Sequence, residues 1–273
     1  MAETGFCNVD GGRLYYEVEG SGPALALIHA GVANLRQWDE QVPEFSRHRR
    51  VIRYDSRTYG KTTTDNVEVS NRGDLAAILD HLGVERAAIL GLSRGGQIAI
   101  DFTLAYPDRA SALIAVAAGI SGFDFPNTPE EQALWDEYER RYEAGDWEWV
   151  VDTETAMWVD GPGQPSDRVP AEIRQRVHEW IAEGYKAHAS EEPSSKPLDP
   201  PAATRLGEIA VPTLVVVGDL DTRDTVSACH KLADEIPGAR LEVFEGVAHM
   251  VNLEQPQAFT RLVLEFLDGA GLA

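Results

Sequence analysis

The sequence predicts an α/β fold with a mostly parallel central sheet, and three observations carry that reading. Short aliphatic runs alternate with helix-period patterns from about residue 12 to 120, the signature of βα units. Residues 24–28 and 87–90 are apolar at consecutive rather than alternate positions, as strands buried on both faces require. The same character returns at 212–218, after a long helical interruption rich in charge.

Along the chain, 13–19 alternates like a half-exposed strand and Val51 and Ile52 mark another short buried one. Leu75, Ile78, Leu79 and Leu82 have the spacing of a one-faced helix over 74–82, and a second helix is expected after Ser93. From about 122 to 204 the β-branched runs disappear. Helical stretches at 129–144, 152–158 and 172–189 take their place, closed by a Ser, Glu and Pro loop at 190–197. A helical pattern follows over 228–236, then a strand at 241–244 and a helix at 256–267 with Phe259, Leu262, Val263 and Phe266 on one face. The division expected is a core of residues 1–121 and 205–273 with a helical cap, 122–204, inserted in it.

Composition narrows the function classes. The net charge of -21 sets up a field that repels phosphate backbones and anionic membranes, so neither nucleic acid nor a membrane is an expected partner. No apolar run of about 18 residues appears and the first residues lack the pattern of a secretory signal, which reads as a soluble, cytoplasmic protein. Cys7 and Cys229 show no metal-ligand spacing and read as free thiols, and neither a metal nor a cofactor is expected. Five of the six tryptophans fall in the inserted segment. A thin helical layer uses large aromatics to pack, but Trp135 and Trp158 are candidates for lining an apolar pocket beneath it.

The chemistry centres on Gly91-Leu92-Ser93-Arg94-Gly95-Gly96, which follows one predicted strand and opens a helix. A strained strand-to-helix turn brings backbone so close that Gly91 and Gly95 avoid clashes a Cβ would create. It exposes the Ser93 hydroxyl beside a helix N-terminus, where the Arg94 N-H can stabilise an oxyanion. A second donor is expected from the turn after the strand at 24–28, and Gly31 is the candidate, with His29 read as a buried structural histidine. With His29 set aside, His249 is the one of the seven histidines in a short loop directly after a strand, and it is the candidate base. Asp219, Asp221 and Asp224 all follow the strand at 212–218, and position alone leaves the choice among them open. The Arg94 side chain is a further candidate, for an anionic group of a substrate.

These elements resemble the α/β-hydrolase superfamily, in particular its small capped serine hydrolases such as enol-lactonases, carboxylesterases and cofactor-free haloperoxidases. The resemblance spans nearly the whole chain and rests on the Gly91 to Gly95 elbow, His29 to Gly31, Asp55-Ser56-Arg57-Thr58-Tyr59-Gly60, Gly218-Asp219-Leu220-Asp221, and His249 with Glu254-Gln255-Pro256. In such relatives the last position of Gly-x-x-Asp carries the acid, which implies Asp221. The resemblance also implies that the Arg94 and Gly31 N-H groups form the oxyanion hole. Ser93 stands where dehalogenases and epoxide hydrolases of this fold use aspartate, which argues against their chemistry. The chain departs from the usual pattern at Thr58, Ala30 and Ala248, so the resemblance implies a reaction class rather than a substrate. The function expected is hydrolysis of a small, fairly apolar ester or lactone through an acyl-enzyme. A hydrolase of carbon-carbon bonds in ring-cleavage products and a slow ligand-binding receptor are the alternatives.

Overall fold

In a computed structural model, which describes residues 3–187 and 193–272, one sheet of nine strands organises the described chain. The strands are β1 (Glu3–Val9), β2 (Gly12–Glu19), β3 (Ala24–Ile28), β4 (Arg50–Tyr54), β5 (Thr63–Thr64), β6 (Ala87–Leu92), β7 (Ala110–Val116), β8 (Thr213–Gly218) and β9 (Arg240–Phe244). Their order is β1-β2-β4-β3-β6-β7-β8-β9, with β5 on β2, and every pair from β4 through β9 along that path is parallel. The hairpin β1-β2 and the β2-β4 pair are antiparallel.

The doubly apolar strands follow from helices on both faces. Ala26, Ile28, Ile89, Ala115, Val215 and Val217 point into one core layer, covered by α2 (Asn71–His81), α3 (Arg94–Ala105) and α7 (Arg223–Glu235). The alternate residues Leu25, Leu27, Leu90, Ile114, Val116 and Val216 point into the other, under α1 (Val42–Phe45), α8 (Val251–Glu254) and α9 (Pro256–Gly269). Phe259 and Val263 of α9 are fully buried there, each contributing about 1.5–3 kcal/mol of burial free energy.

Between β7 and β8 come α4 (Pro129–Glu143), α5 (Trp147–Thr155), a π-helical turn (Ala156–Asp160) and α6 (Ala171–Ala187). Thr128 opens α4 with a capping box, its hydroxyl accepting from the Glu131 N-H while the Glu131 carboxylate accepts from its own. Gly145, at φ +71, ends that helix and lets α5 start at Trp147, five residues before the sequence pattern places it. The β-branched and aromatic run Trp147 to Val151 obscures the helical period there.

Three strands went unread in the sequence: the two-residue β5 is too short to show a pattern. β1 buries only Cys7 and so lacks an apolar pattern, and β7 follows α3 after only a short turn. The end of the helix expected over 172–189 and part of the loop at 190–197 lie outside the described residues. Among the described residues no helix is long and apolar enough to cross a membrane.

Candidate active site

The site gathers at the carboxyl ends of β3, β6, β8 and β9, where loops from opposite ends of the sequence meet. Ser93 lies between β6 and α3 at φ 57, ψ -118, a left-handed conformation that costs a non-glycine residue on the order of 1–3 kcal/mol. Its neighbours pin it: the Ser93 N-H donates to Val116 O at 2.8 Å, and its own carbonyl accepts from the Gln97 N-H. A Cβ on Gly91 would stand 2.0 Å from Gly95 O, and one on Gly95 2.3 Å from Ile28 O. Only glycine permits this approach of β6, α3 and β3, as the turn argument requires.

After β8, Asp221 Oδ2 lies 2.8 Å from His249 Nδ1, and both side chains are almost entirely buried. Asp221 Oδ1 takes the Thr222 N-H, so the carboxylate is held on both oxygens. The aspartates left open by position now separate. Asp219 accepts the N-H of Gly246 and steadies the histidine loop, while Asp224 is exposed on the first turn of α7. Gly218 makes the meeting possible, because a Cβ there would stand 2.1 Å from Val247 O.

Ser93, His249, Gly31, Val32 and Tyr59 line one cavity of about 260 Å³, and the inserted helices supply the rest of its wall: Glu154, Trp158, Trp180, Ile181, Gly184 and Tyr185. The Trp158 ring sits 4.7 Å from that of His249. Trp135 does not line it; it lies on α4 with its edge against Tyr138, while Trp147 stacks on Tyr185 and Trp149 leans on Tyr138. The tryptophans thus divide between packing and pocket. A wider cleft between Ser166 and Glu179 contains none of these groups.

The Arg94 side chain turns away from this cavity. Its guanidinium lies over the Tyr59 ring and donates to Asn71 at 3.2 Å, in a neighbouring cleft of about 390 Å³ that Arg57, Arg72, Asp101 and Lys196 also line. His29 is wholly buried. Its Nε2 accepts the Ser56 N-H at 3.0 Å, which leaves the proton on Nδ1 to donate to Ala30 O at 2.7 Å, and burial pushes its pKa down to about 3. It is a neutral structural histidine.

Several supporting residues carry no sequence signal. Gln37, Gln41 and Asn252 are fully buried and exchange amide hydrogen bonds, and Gln37 Oε1 also accepts the Ala30 N-H at 2.8 Å. They join the turn before Gly31 to α8, three residues after His249. Single amides separated by more than 200 residues show no periodicity, so only the assembled fold pairs them. Arg57, from the quoted Asp55 to Gly60 motif, forks onto the Asp74 carboxylate at 2.7 and 2.9 Å, and Asp55 accepts the N-H groups of Leu35 and Lys61. That motif braces the loops, and its Tyr59 lines the cavity. Among the described residues no cluster of side chains suits a metal ion.

The alpha/beta hydrolase family matches this chain over residues 25–262. The chain belongs to it. It is 29% identical over 248 residues to 3-oxoadipate enol-lactonase 2 of Acinetobacter baylyi, covering 88% of this chain and 87% of that protein. It is 30% identical over 271 residues to 2-hydroxymuconate semialdehyde hydrolase of Pseudomonas sp. strain CF600, covering 93% and 90%. Among solved structures, Est816, an N-acyl homoserine lactone degrading enzyme, superposes with a TM-score of 0.77 at 26% identity, over 96% of this chain and all of that one. The enol-lactonase of Burkholderia xenovorans LB400 superposes with a TM-score of 0.78 at 24% identity, over 97% and 100%, and shares the fold. The chain is thus a hydrolase of the α/β family.

Proposed function

We propose that the protein is a serine hydrolase that cleaves a small, fairly apolar ester or lactone through an acyl-enzyme on Ser93. One observation carries the reading: the 2.8 Å Asp221 to His249 contact opens onto the cavity that exposes Ser93 at its strained turn. Asp221 keeps the proton on His249 Nδ1 and leaves Nε2 to take the Ser93 proton as the hydroxyl attacks the acyl carbon. Nε2 then gives that proton to the leaving group, and water repeats the cycle on the acyl-enzyme. The Arg94 and Gly31 N-H groups hold the oxyanion. Residues 122–204 act as a cap, a role supported by the six residues they contribute to the cavity wall. The similarity to an enol-lactonase supports the ester or lactone class. Cys7 and Cys229, both buried and free, fit a reducing cytoplasm.

A second reading, hydrolysis of carbon-carbon bonds in ring-cleavage products with the same three residues, draws support from the similarity to 2-hydroxymuconate semialdehyde hydrolase. A panel of p-nitrophenyl esters, lactones and dienones with Ser93→Ala as control decides. The first reading expects many turnovers on esters or lactones and a loss of about 10⁴-fold or more in Ser93→Ala. Turnover confined to dienones selects the second reading, and full activity in Ser93→Ala sinks both.

A further inference from the structure

We propose that Glu154 makes the catalytic cavity selective for a substrate that carries a positively charged substituted ammonium group beside the bond to be cleaved. The inference rests on the serine-hydrolase reading and adds the substrate class to it. Glu154 lies on α5 and lines the cavity with Ser93 and His249. Its Oε1 accepts two phenol hydrogen bonds, from Tyr138 at 2.6 Å and Tyr185 at 2.7 Å. The two hydroxyls lie 2.8 Å apart, and Tyr185 is stacked on Trp147, so the carboxylate is held by a packed aromatic frame. Among the described residues the two phenols are the partners of Glu154, both at Oε1, and no cation pairs with it.

A half-buried carboxylate without a counter-ion carries a desolvation cost that a cationic ligand relieves. Burial raises the Glu154 pKa above the ordinary carboxylate value, by more than the two phenol hydrogen bonds lower it, and a cation beside the carboxylate favours the ionised form. The rest of the wall suits a soft cation. Trp158, Trp180 and Tyr185 present aromatic side chains to the same space, and aromatic rings attract an ammonium by about 0.5–2 kcal/mol.

Charges elsewhere point the same way. No Lys or Arg lines this cavity, Arg94 lying behind the Tyr59 ring in the neighbouring cleft, so within the cavity wall an anionic substrate group would face the Glu154 carboxylate. The net charge of -21 draws cations toward the molecule.

The test compares acetylcholine with 3,3-dimethylbutyl acetate, its uncharged isostere, and with 2-hydroxyethyl acetate, a neutral hydrogen-bond donor, on the wild type and Glu154→Gln. Glutamine keeps the size and the acceptor for both tyrosines. Tryptophan-fluorescence titration of Ser93→Ala, with and without Glu154→Gln, by choline and by 3,3-dimethylbutanol reads binding without turnover. The expected result is a preference of about tenfold for the charged member in kcat/KM and in binding, falling to near one in Glu154→Gln. No preference in the wild type, a preference that survives Glu154→Gln, or a preference for the hydroxyl ester alone overturns the proposal. If choline binds selectively but neither these esters nor any p-nitrophenyl ester, lactone or dienone is cleaved, the serine-hydrolase reading fails and the cation site stands. If esters are cleaved without preference, only the cation site fails.

Discussion

Arg168 pairs with Glu254, and through that contact the inserted helical segment is tied to the loop that carries His249. Arg168 also donates to the carbonyls of Val159, Asp160 and Gly246, while Glu254 accepts the Ala248 N-H at 2.9 Å. One guanidinium thus fixes the turn that carries Trp158 against the histidine loop.

Because the Glu254 side chain is only 6% exposed, Arg168→Leu leaves a buried, uncompensated carboxylate. The expected loss is about 3 kcal/mol, a fall of roughly 6–12 °C in melting temperature. Removing both partners in Arg168→Leu with Glu254→Leu is expected to recover part of it. Calorimetry on the three proteins checks this, and an unchanged melting temperature in the single variant refutes it.

Asp221 and Asp219 are expected to part sharply in kinetics. Asp221→Asn presents an amide donor to His249 Nδ1, imposes the wrong tautomer, and lowers kcat by about 10⁴-fold on whichever substrate the panel identifies. Asp219→Asn disturbs one backbone contact at Gly246 and is expected to stay within about tenfold. Equal losses in the two variants would remove the distinction drawn from their geometry.

The elbow glycines yield a stability comparison. In Gly95→Ala the new Cβ meets Ile28 O at 2.3 Å, a backbone atom held in the central sheet, and the variant is expected to lose several kcal/mol or fail to fold. Gly119→Ala places its Cβ 3.6 Å from Gln97 Oε1, an ordinary contact, and is expected to change stability by less than about 1 kcal/mol. Urea unfolding of both, with soluble yield as the first readout, tests the pair.

His29 imposes a pH dependence. Its folded pKa, about 3, lies below the ordinary 6.5, so between those values the unfolded chain binds a proton that the native state refuses. Its contribution to stability is complete above about pH 6.5 and drains away as pH falls toward 3, by about 1.4 kcal/mol per unit. Between pH 6.5 and 5 that amounts to about 2 kcal/mol. Urea midpoints for the wild type and His29→Gln are expected to converge by that amount over the interval, and parallel curves would show that His29 does not titrate this way.

How much was legible depended on how local the cause is. Continuous apolar runs announce β3, β6 and β8 because each strand is covered on both faces, and Gly91 to Gly95 announces the elbow because the close approach concerns residues within one turn. β1 was silent because it is a polar edge strand with one buried side chain. Glu154 was silent because nothing in the text of α5 distinguishes it from Glu148, an exposed residue one and a half turns earlier on the same helix.

By itself the sequence determined the α/β class, the helical character of the insertion, and Ser93 and His249 as residues of two strand-end turns, since these are written in residue type and short-range spacing. The tertiary structure alone decided that Asp221 rather than Asp219 meets His249, that Trp158 and Trp180 line the cavity while Trp135 packs outside it, and that Glu154 lines the same cavity as Ser93. Those outcomes depend on which loops and helix faces meet across more than a hundred residues, and only the closed chain brings them together.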